Sequence, residues 1–350
     1  MTRRRFPEIA PTSWEHPADR AALQTLRAVP GFDQFVKKAI GSFGERGIRM
    51  LFQANAVLVG PRQFPRVHRL QQEVQATLDR PDEVPVFVSQ HPWFNAGAYG
   101  VDQPFVVLNS VTLDMLEERE IRVLLGHELG HVMSGHALYR TMLAIILTFG
   151  LRRLPVVAGF ALLPIRLALQ EWYRKSELSA DRASLLACQE PDDALWMFLK
   201  AAGGTVTGRV PLDLGAYKQQ IDGYEEQDGV DAIFKLLNLL DRTHPFHTLR
   251  AAALQRWSAS DQYRQILDGD YRRRSERQTA TSYGADVSEA ASYYANETRV
   301  GMGEFGRLMR DVAQETTEAA RQAAREAQQV AWQAAEGVAA RISGFRRPRR

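Results

Sequence analysis

The sequence predicts an α+β fold that is mostly helical and contains a small antiparallel sheet. Apolar residues recur at helical spacing over residues 120–126, which predicts a buried helix. Segments 84–88 and 105–109 are rich in β-branched residues and are bounded by turn formers, as strands are. The chain has 350 residues, of which 45% are hydrophobic and 24% charged, so it can form one sizeable core with appended pieces.

The chain divides into three predicted parts. Residues 1–60 contain several prolines that interrupt short helices, and we expect these helices to cover the core. Residues 61–270 contain the predicted strands and the buried helix, and form the predicted core domain. Residues 271–350 are charged and alanine-rich, which predicts a helical tail. The basic cluster at 345–350 fits either a solvated end or a contact with a partner or an anionic membrane.

The most informative motif is His-Glu-Leu-Gly-His at residues 127–131, inside the predicted buried helix. Residues four apart on a helix lie one turn above each other, so His127 and His131 can bind one metal ion. Glu128 projects to the side where a metal-bound water would lie. Zn²⁺ lowers the pKa of its water to about 7, and a nearby carboxylate can take the proton. Two glycines in this helix lower its propensity, which indicates that another element approaches closely.

A catalytic zinc site needs a third protein ligand, and the spacing after the motif limits the choice. Metzincins place a glycine and a histidine at the positions that hold Ser134 and Ala137 here. His136 misses that register by one residue, so we do not expect it to bind the metal. Glu177 is the better candidate, with Asp181 one helical turn further on. Asp181 can then accept a hydrogen bond from the free ring nitrogen of a zinc histidine.

Four segments in this order resemble metallopeptidase family 48, the group of HtpX and the CAAX prenyl proteases. They are Asn95-Ala96-Gly97-Ala98, residues 113–136, residues 177–181, and Thr243-His244-Pro245 with Arg250. The resemblance covers roughly residues 60–255. Many families share the zinc motif alone, whereas the four segments together are far more specific.

The resemblance implies a zincin-like fold of the gluzincin type, with one Zn²⁺ bound by His127, His131 and Glu177. It also implies that Asn95 and Ala96 lie on a sheet edge beside the active site. An extended polypeptide could add itself to that edge by main-chain hydrogen bonds. We expect this binding of substrates as β-strands to fail if the segment is paired on both sides.

The late motif carries two further roles by resemblance. His244 would lie near the metal, either stabilising the oxyanion or occupying a zinc position in a resting state. Arg250 would orient the site by pairing with an acid. The alternative for both is structural, since a helix beginning after a Thr-His-Pro turn would also use His244 as a residue near its cap.

Two apolar stretches, 141–151 and 154–170, follow the zinc motif and are separated by Arg152-Arg153. Each is shorter than the about 20 apolar residues that span a bilayer. They predict an apolar helical hairpin at about residues 137–170, which either packs as core or touches a membrane surface with its tip. HtpX-type proteins carry N-terminal transmembrane helices and a membrane-spanning pair here, and we expect a member without them.

The net charge and the cysteine content argue against nucleic-acid-binding proteins and disulfide-rich secreted proteins. The net charge is only +3 and the arginines are spread along the chain, which gives no support to nucleic-acid binding. The single cysteine, Cys188, excludes a disulfide framework and fits a reducing compartment. No apolar segment follows residues 1–7, so no secretory signal is expected. We therefore expect a cytoplasmic protein that can associate with the inner face of the membrane.

The sequence predicts endoproteolysis of unfolded or extended polypeptides, as in protein quality control. Glu128 would take a proton from the attacking water and later deliver it to the leaving amine. The alternative is a non-catalytic adaptor that keeps a structural zinc and acts through its apolar hairpin and C-terminal helix. Structural zinc sites usually fill four positions with protein ligands, so a base beside three ligands favours the enzyme.

Overall fold

The computed structural model describes residues 3–27, 47, 49, 50, 53–145, 156–205, 211–225 and 246–276. Within these ranges the chain is mostly helical and forms one sheet of four strands. A 3₁₀ turn at Pro11–Ser13 precedes the first helix. The elements in chain order are α1 (Pro17–Arg27), β1 (Ala56–Leu58), α2 (Pro65–Thr77), β2 (Val86–Ser89), β3 (Ala96–Tyr99), β4 (Phe105–Asn109), α3 (Ser110–Met115), α4 (Glu118–Met133), α5 (His136–Ile145), α6 (Val156–Cys188), α7 (Pro191–Gly203), α8 (Leu214–Glu225), α9 (His247–Ser258) and α10 (Asp261–Leu267).

The sheet is mixed, so the prediction of an antiparallel sheet was wrong. Its strand order is β1-β2-β4-β3, with β2 parallel to β4 and the other two pairs antiparallel. The reason is that β3 and β4 form a hairpin, and β4 returns between β3 and β2. The chain reverses direction between β2 and β3 and again between β3 and β4, so β4 runs parallel to β2. Both predicted strands are present, as β2 and β4.

One face of the sheet packs against the main core. Val86 and Val88 of β2 pair with Val106 and Leu108 of β4, and all four lie in the large buried cluster with residues of α2 and α4. Side chains alternate along a strand, so the residues between them point to the opposite face. There, a separate smaller cluster contains Phe87, Phe105 and Val107. The two central strands, β2 and β4, are thus buried on both faces of the sheet.

Helix α4 carries the zinc motif through the centre of the core. It begins with a capping box, in which Glu117 and Glu120 each accept a hydrogen bond from the other's backbone N–H. Residues 120–132 of this helix are all buried. A helix buried on every side needs neighbours all around it, and α2, α6, α7 and β3 supply them. The motif therefore lies in the packed interior of the protein.

Helix α6 crosses α4 at the two glycines of the zinc helix. A Cβ atom on Gly126 would lie 2.6 Å from the Cβ of Ala187, and one on Gly130 would lie 2.6 Å from the Cβ of Ala183. These separations are shorter than any van der Waals contact, so no larger residue fits without movement. The prediction that another element approaches this helix closely is confirmed. The close crossing brings the acidic residues of α6 beside the histidines of α4.

The N-terminal segment, residues 3–27, packs onto the same core. Phe6, Ile9 and Trp14 are fully buried in the main cluster, and α1 packs along α6. The backbone N–H of Phe6 donates to the carbonyl of Thr77 at the end of α2. This segment is therefore part of the folded body in which the zinc helix is enclosed.

Helices α5 and α6 flank residues 146–155, where the predicted hairpin has its tip. That tip, with Arg152 and Arg153, lies outside the described residues, and so does the predicted tail from residue 277 onward. Of the helices that the structure describes, none combines the length and the apolar character needed to cross a bilayer.

Candidate metal centre

His127, His131 and Glu177 come together in one buried cluster. One ligand atom from each lies within 4.8 Å of the other two. The Nε2 atoms of His127 and His131 are 3.1 Å apart, and the Glu177 carboxylate lies 3.4 Å from the first and 3.3 Å from the second. Two imidazole nitrogens and one carboxylate oxygen form the donor set of many catalytic zinc sites, so the residues fit Zn²⁺.

Glu128 lies next to this cluster and is buried. Its Oε2 atom has no hydrogen-bond partner among the described residues. Burial raises the pKa of the Glu128 carboxyl above its usual value, although the nearby Arg140 opposes this shift. A buried carboxylate oxygen without a partner is unfavourable unless a ligand or water lies beside it. Glu128 therefore fits a general base that faces an attacking water.

The outer nitrogen of His127 is held by an ion pair. His127 Nδ1 lies 3.0 Å from Asp181 Oδ1, and Arg250 donates to both oxygens of Asp181 at 2.8 Å and 2.6 Å. Burial alone would raise the pKa of Asp181, but the Arg250 guanidinium brings it below its usual value. An ionised Asp181 keeps one proton of His127 on Nδ1, so Nε2 is the atom with which His127 would bind a metal.

Glu177 carries an arginine on each side. Arg250 Nη1 lies 3.0 Å from its Oε2 atom, and Arg140 Nη1 lies 3.2 Å from its Oε1 atom. The Arg140 guanidinium also stacks over the Tyr173 ring, 4.7 Å from the ring centroid. Two cations thus compensate the negative charge of a carboxylate that is only 1% exposed.

Two residues of this centre, His136 and Arg140, were not predicted from the sequence to contribute to it. His136 lies outside the metal cluster, but its Nδ1 atom is 3.0 Å from Nδ1 of His131. Its position five residues after His131 was the available signal. Arg140 gave no signal, because an arginine beside an apolar stretch usually lies on a solvated face. Only the fold shows that Arg140 is 2% exposed and contacts Glu177.

Asn95 and Ala96 lie where strand β3 begins, at the edge of the sheet. The N–H of Asn109 donates to the carbonyl of Asn95 at 3.0 Å, which places these two residues at a hydrogen-bonding position of the ladder, while the Asn95 N–H donates to Thr112 Oγ1. Hydrogen-bonded and non-hydrogen-bonded pairs alternate in an antiparallel ladder. The peptide groups of Ala96 and Ala98 therefore face away from β4. In the described sheet, β3 has a strand partner on the β4 side only.

The predicted role of His244 cannot be placed on the structure, since His244 and its neighbours in 241–245 lie outside the described residues. Arg250, from the same predicted motif, lies on α9 and contacts Asp181 and Glu177 as described above.

Comparison with known proteins adds to this geometry. The family model described as Peptidase family M48 matches residues 61–258. The plastoglobule-localized metallopeptidase 48, chloroplastic, of Arabidopsis thaliana is 30% identical over 268 residues, which cover 75% of this chain and 77% of the relative. No solved structure matches the chain. The family match contains the metal cluster, Glu128, Asp181 and Arg250, whereas α1 precedes it.

Proposed function

This chain belongs to peptidase family M48, and we propose that it is a zinc-dependent metalloendopeptidase with a zincin-like fold of the gluzincin type. The observation that carries the proposal is the buried Glu128, whose Oε2 atom has no hydrogen-bond partner among the described residues, beside a cluster of two histidines and one glutamate. A site that only stabilised the fold would need no such base. It would also usually supply four protein ligands.

Each side chain of the centre has a separate role in the proposed reaction. His127 and His131 would hold Zn²⁺ through Nε2, and Glu177 through a carboxylate oxygen. When bound, the ion would acidify a water molecule and polarise the scissile carbonyl group. Glu128 takes a proton from the attacking water at Oε2 and passes it to the leaving amine. Burial raises the pKa of Glu128, which suits both steps, because the group must accept and release a proton near neutral pH.

The edge of β3 supports an extended polypeptide as the substrate. The outward peptide group of Ala96, which is partly exposed, can pair with a substrate strand, whereas Ala98 is fully buried and β3 packs beside α4 and α5. Recognition through main-chain hydrogen bonds depends little on the substrate's side chains. We propose unfolded or extended polypeptides as substrates, as in protein quality control. A stably folded protein should resist cleavage under conditions in which casein is cut.

For the location, we propose the cytoplasm, with contact to the inner face of the membrane through the apolar segments around residues 141–170. Cys188 is the single cysteine of the chain and is buried, so the chain has no intramolecular disulfide. Cell fractionation tests this proposal, and recovery from an extracytoplasmic fraction would contradict it.

The experiment that tests the function compares purified, zinc-loaded wild type with Glu128→Gln in the cleavage of casein. Glutamine keeps the size of the side chain but cannot accept the proton. We expect Glu128→Gln to bind one zinc per chain and to lose about 10²- to 10⁴-fold in turnover. Retained activity would remove Glu128 as the base. A wild type that binds zinc and cleaves nothing would support the non-catalytic adaptor instead.

A further inference from the structure

A chain of hydrogen bonds leads from His131 to the N-terminal segment. His131 Nδ1 lies 3.0 Å from His136 Nδ1, and His136 Nε2 lies 3.0 Å from Asp19 Oδ2. Asp19 lies in the first turn of α1, outside the residues 61–258 that match the family. We propose that Asp19, acting through His136, is a positioning residue for the zinc ligand His131. The inference rests on the proposed zinc function.

The protons along this chain have one consistent arrangement. If His131 binds the metal through Nε2, its only proton is on Nδ1, and that N–H donates to His136 Nδ1. His136 then carries its own proton on Nε2, from which it donates to the Asp19 carboxylate. Every nitrogen has a single role, and the carboxylate at the far end fixes the tautomer of both rings. This is the arrangement that orients metal-binding histidines in proteins.

Contacts from α6 hold Asp19 and His136 in this geometry. Ser179 Oγ donates to Asp19 Oδ2 at 2.6 Å, and the backbone N–H of His16 donates to Ser179 Oγ at 2.8 Å. The Trp172 ring meets the His136 ring edge to face, with centroids 5.4 Å apart. Ser179 lies on the helix that also carries Glu177, so the anchor of Asp19 and the third ligand are parts of one rigid element.

Burial indicates that Asp19 does more than fasten α1 to the core. Asp19 and His136 are each 2% exposed, and His131 is fully buried. Burying a carboxylate is unfavourable unless it is paired. A short polar or apolar residue would pack against α6 without that penalty. Asp19 Oδ2 contacts Ser179 and His136, and His136 leads on to a metal ligand, whereas Oδ1 has no hydrogen-bond partner among the described residues.

The test measures zinc affinity of the full chain by competition with a chelator, together with the visible spectrum of the cobalt-substituted protein. Asp19→Asn keeps the size of the side chain but removes its charge, and we expect zinc to bind about 10- to 100-fold more weakly. His136→Leu should cause a loss at least as large. His136→Gln offers an acceptor to His131 and a donor to Asp19, so it should stay close to wild type.

Ser13→Ala is the matched control, because it removes a partly buried hydrogen bond of the same segment, from Ser13 Oγ to the carbonyl of Arg272 at 3.1 Å. It should leave zinc affinity and the cobalt spectrum unchanged. Asp181→Asn is the positive control, since Asp181 holds the other histidine. Thermal unfolding of each metal-free protein identifies variants that do not fold.

Two results would overturn the inference. One is an Asp19→Asn protein with the zinc affinity and cobalt spectrum of wild type, while Asp181→Asn is weakened. The other is a loss in Ser13→Ala as large as that in Asp19→Asn, which would indicate a general loss of structure. A wild type that binds zinc but cleaves nothing would refute the proposed peptidase and leave this inference standing. A wild type that binds no zinc would refute both.

Discussion

The two histidines of the metal centre are held in different ways. His127 contacts a carboxylate directly, and that carboxylate, Asp181, is paired with Arg250. His131 contacts a second imidazole, His136, and reaches a carboxylate only beyond it. The first arrangement lies wholly within the family match, whereas the second extends to an α-helix that precedes it.

This difference has an electrostatic consequence. Burial lowers the pKa of both rings, but in His127 hydrogen bonds to Asp181 and Glu177 outweigh it and raise the value to about 9. In His131 burial, reinforced by the positive charge of Arg140, keeps the pKa well below its usual value. The metal-free centre therefore carries its proton on His127. One histidine arrives ready to bind zinc, and the other must first lose a proton.

Arg250→Met removes the arginine that holds the carboxylate contacting His127, and it should reduce the stability of the protein most. It removes the cation that pairs with both Asp181 and Glu177, and breaking a buried ion pair costs about 3–5 kcal/mol of stability. Urea unfolding of the metal-free protein measures this loss. Arg264→Met is the control, since Arg264 is 66% exposed in its ion pair with Asp261, and surface pairs contribute about 0–1 kcal/mol. Equal destabilisation by both variants would contradict the account.

The pH dependence of zinc binding should distinguish the protonated His127 from the neutral His131. Because His127 is protonated below about 9 in the metal-free protein, zinc must displace that proton, and affinity should rise as the pH rises. One displaced proton corresponds to about tenfold per pH unit, or roughly 100-fold between pH 6 and 8. His131 is already neutral, so it contributes nothing to the change of zinc affinity with pH. Chelator competition at several pH values measures this dependence, and Asp181→Asn should flatten it by lowering the pKa of His127.

A pH-independent affinity in wild type would show that the proton is not held on His127. The stability of the metal-free protein provides a second readout with a defined sign. The raised pKa of His127 in the folded state stabilises the protein below its unfolded value of about 6.5, and this contribution disappears as the pH rises through about 9.

The sequence alone predicted the features that depend on short spacing. The zinc helix followed from the four-residue spacing of two histidines, and its close neighbour from the two glycines that face Ala183 and Ala187. The parallel pairing of β2 with β4 was not predictable in this way, because it depends on where the β3–β4 hairpin folds back.

The contact between Asp19 and His136 could not be predicted from short-range sequence spacing either. No local pattern relates a residue in the first turn of α1 to one at the start of α5, and only the packing of α1 along α6 brings them together. Arg140 likewise becomes informative only through its contact with Glu177. Glu177 itself was predicted because it lies one turn from Asp181 after a zinc motif.

If the proposed function is right, two imidazoles and one carboxylate bind zinc and leave a fourth position open. X-ray absorption at the zinc edge of the zinc-loaded protein tests it most directly. We predict two imidazoles at about 2.0–2.1 Å and oxygen ligands at about 2.0–2.2 Å, with the oxygen shell reduced in Glu177→Ala. A third imidazole in the wild-type spectrum would mean that the chain itself fills the open position, and would contradict the account.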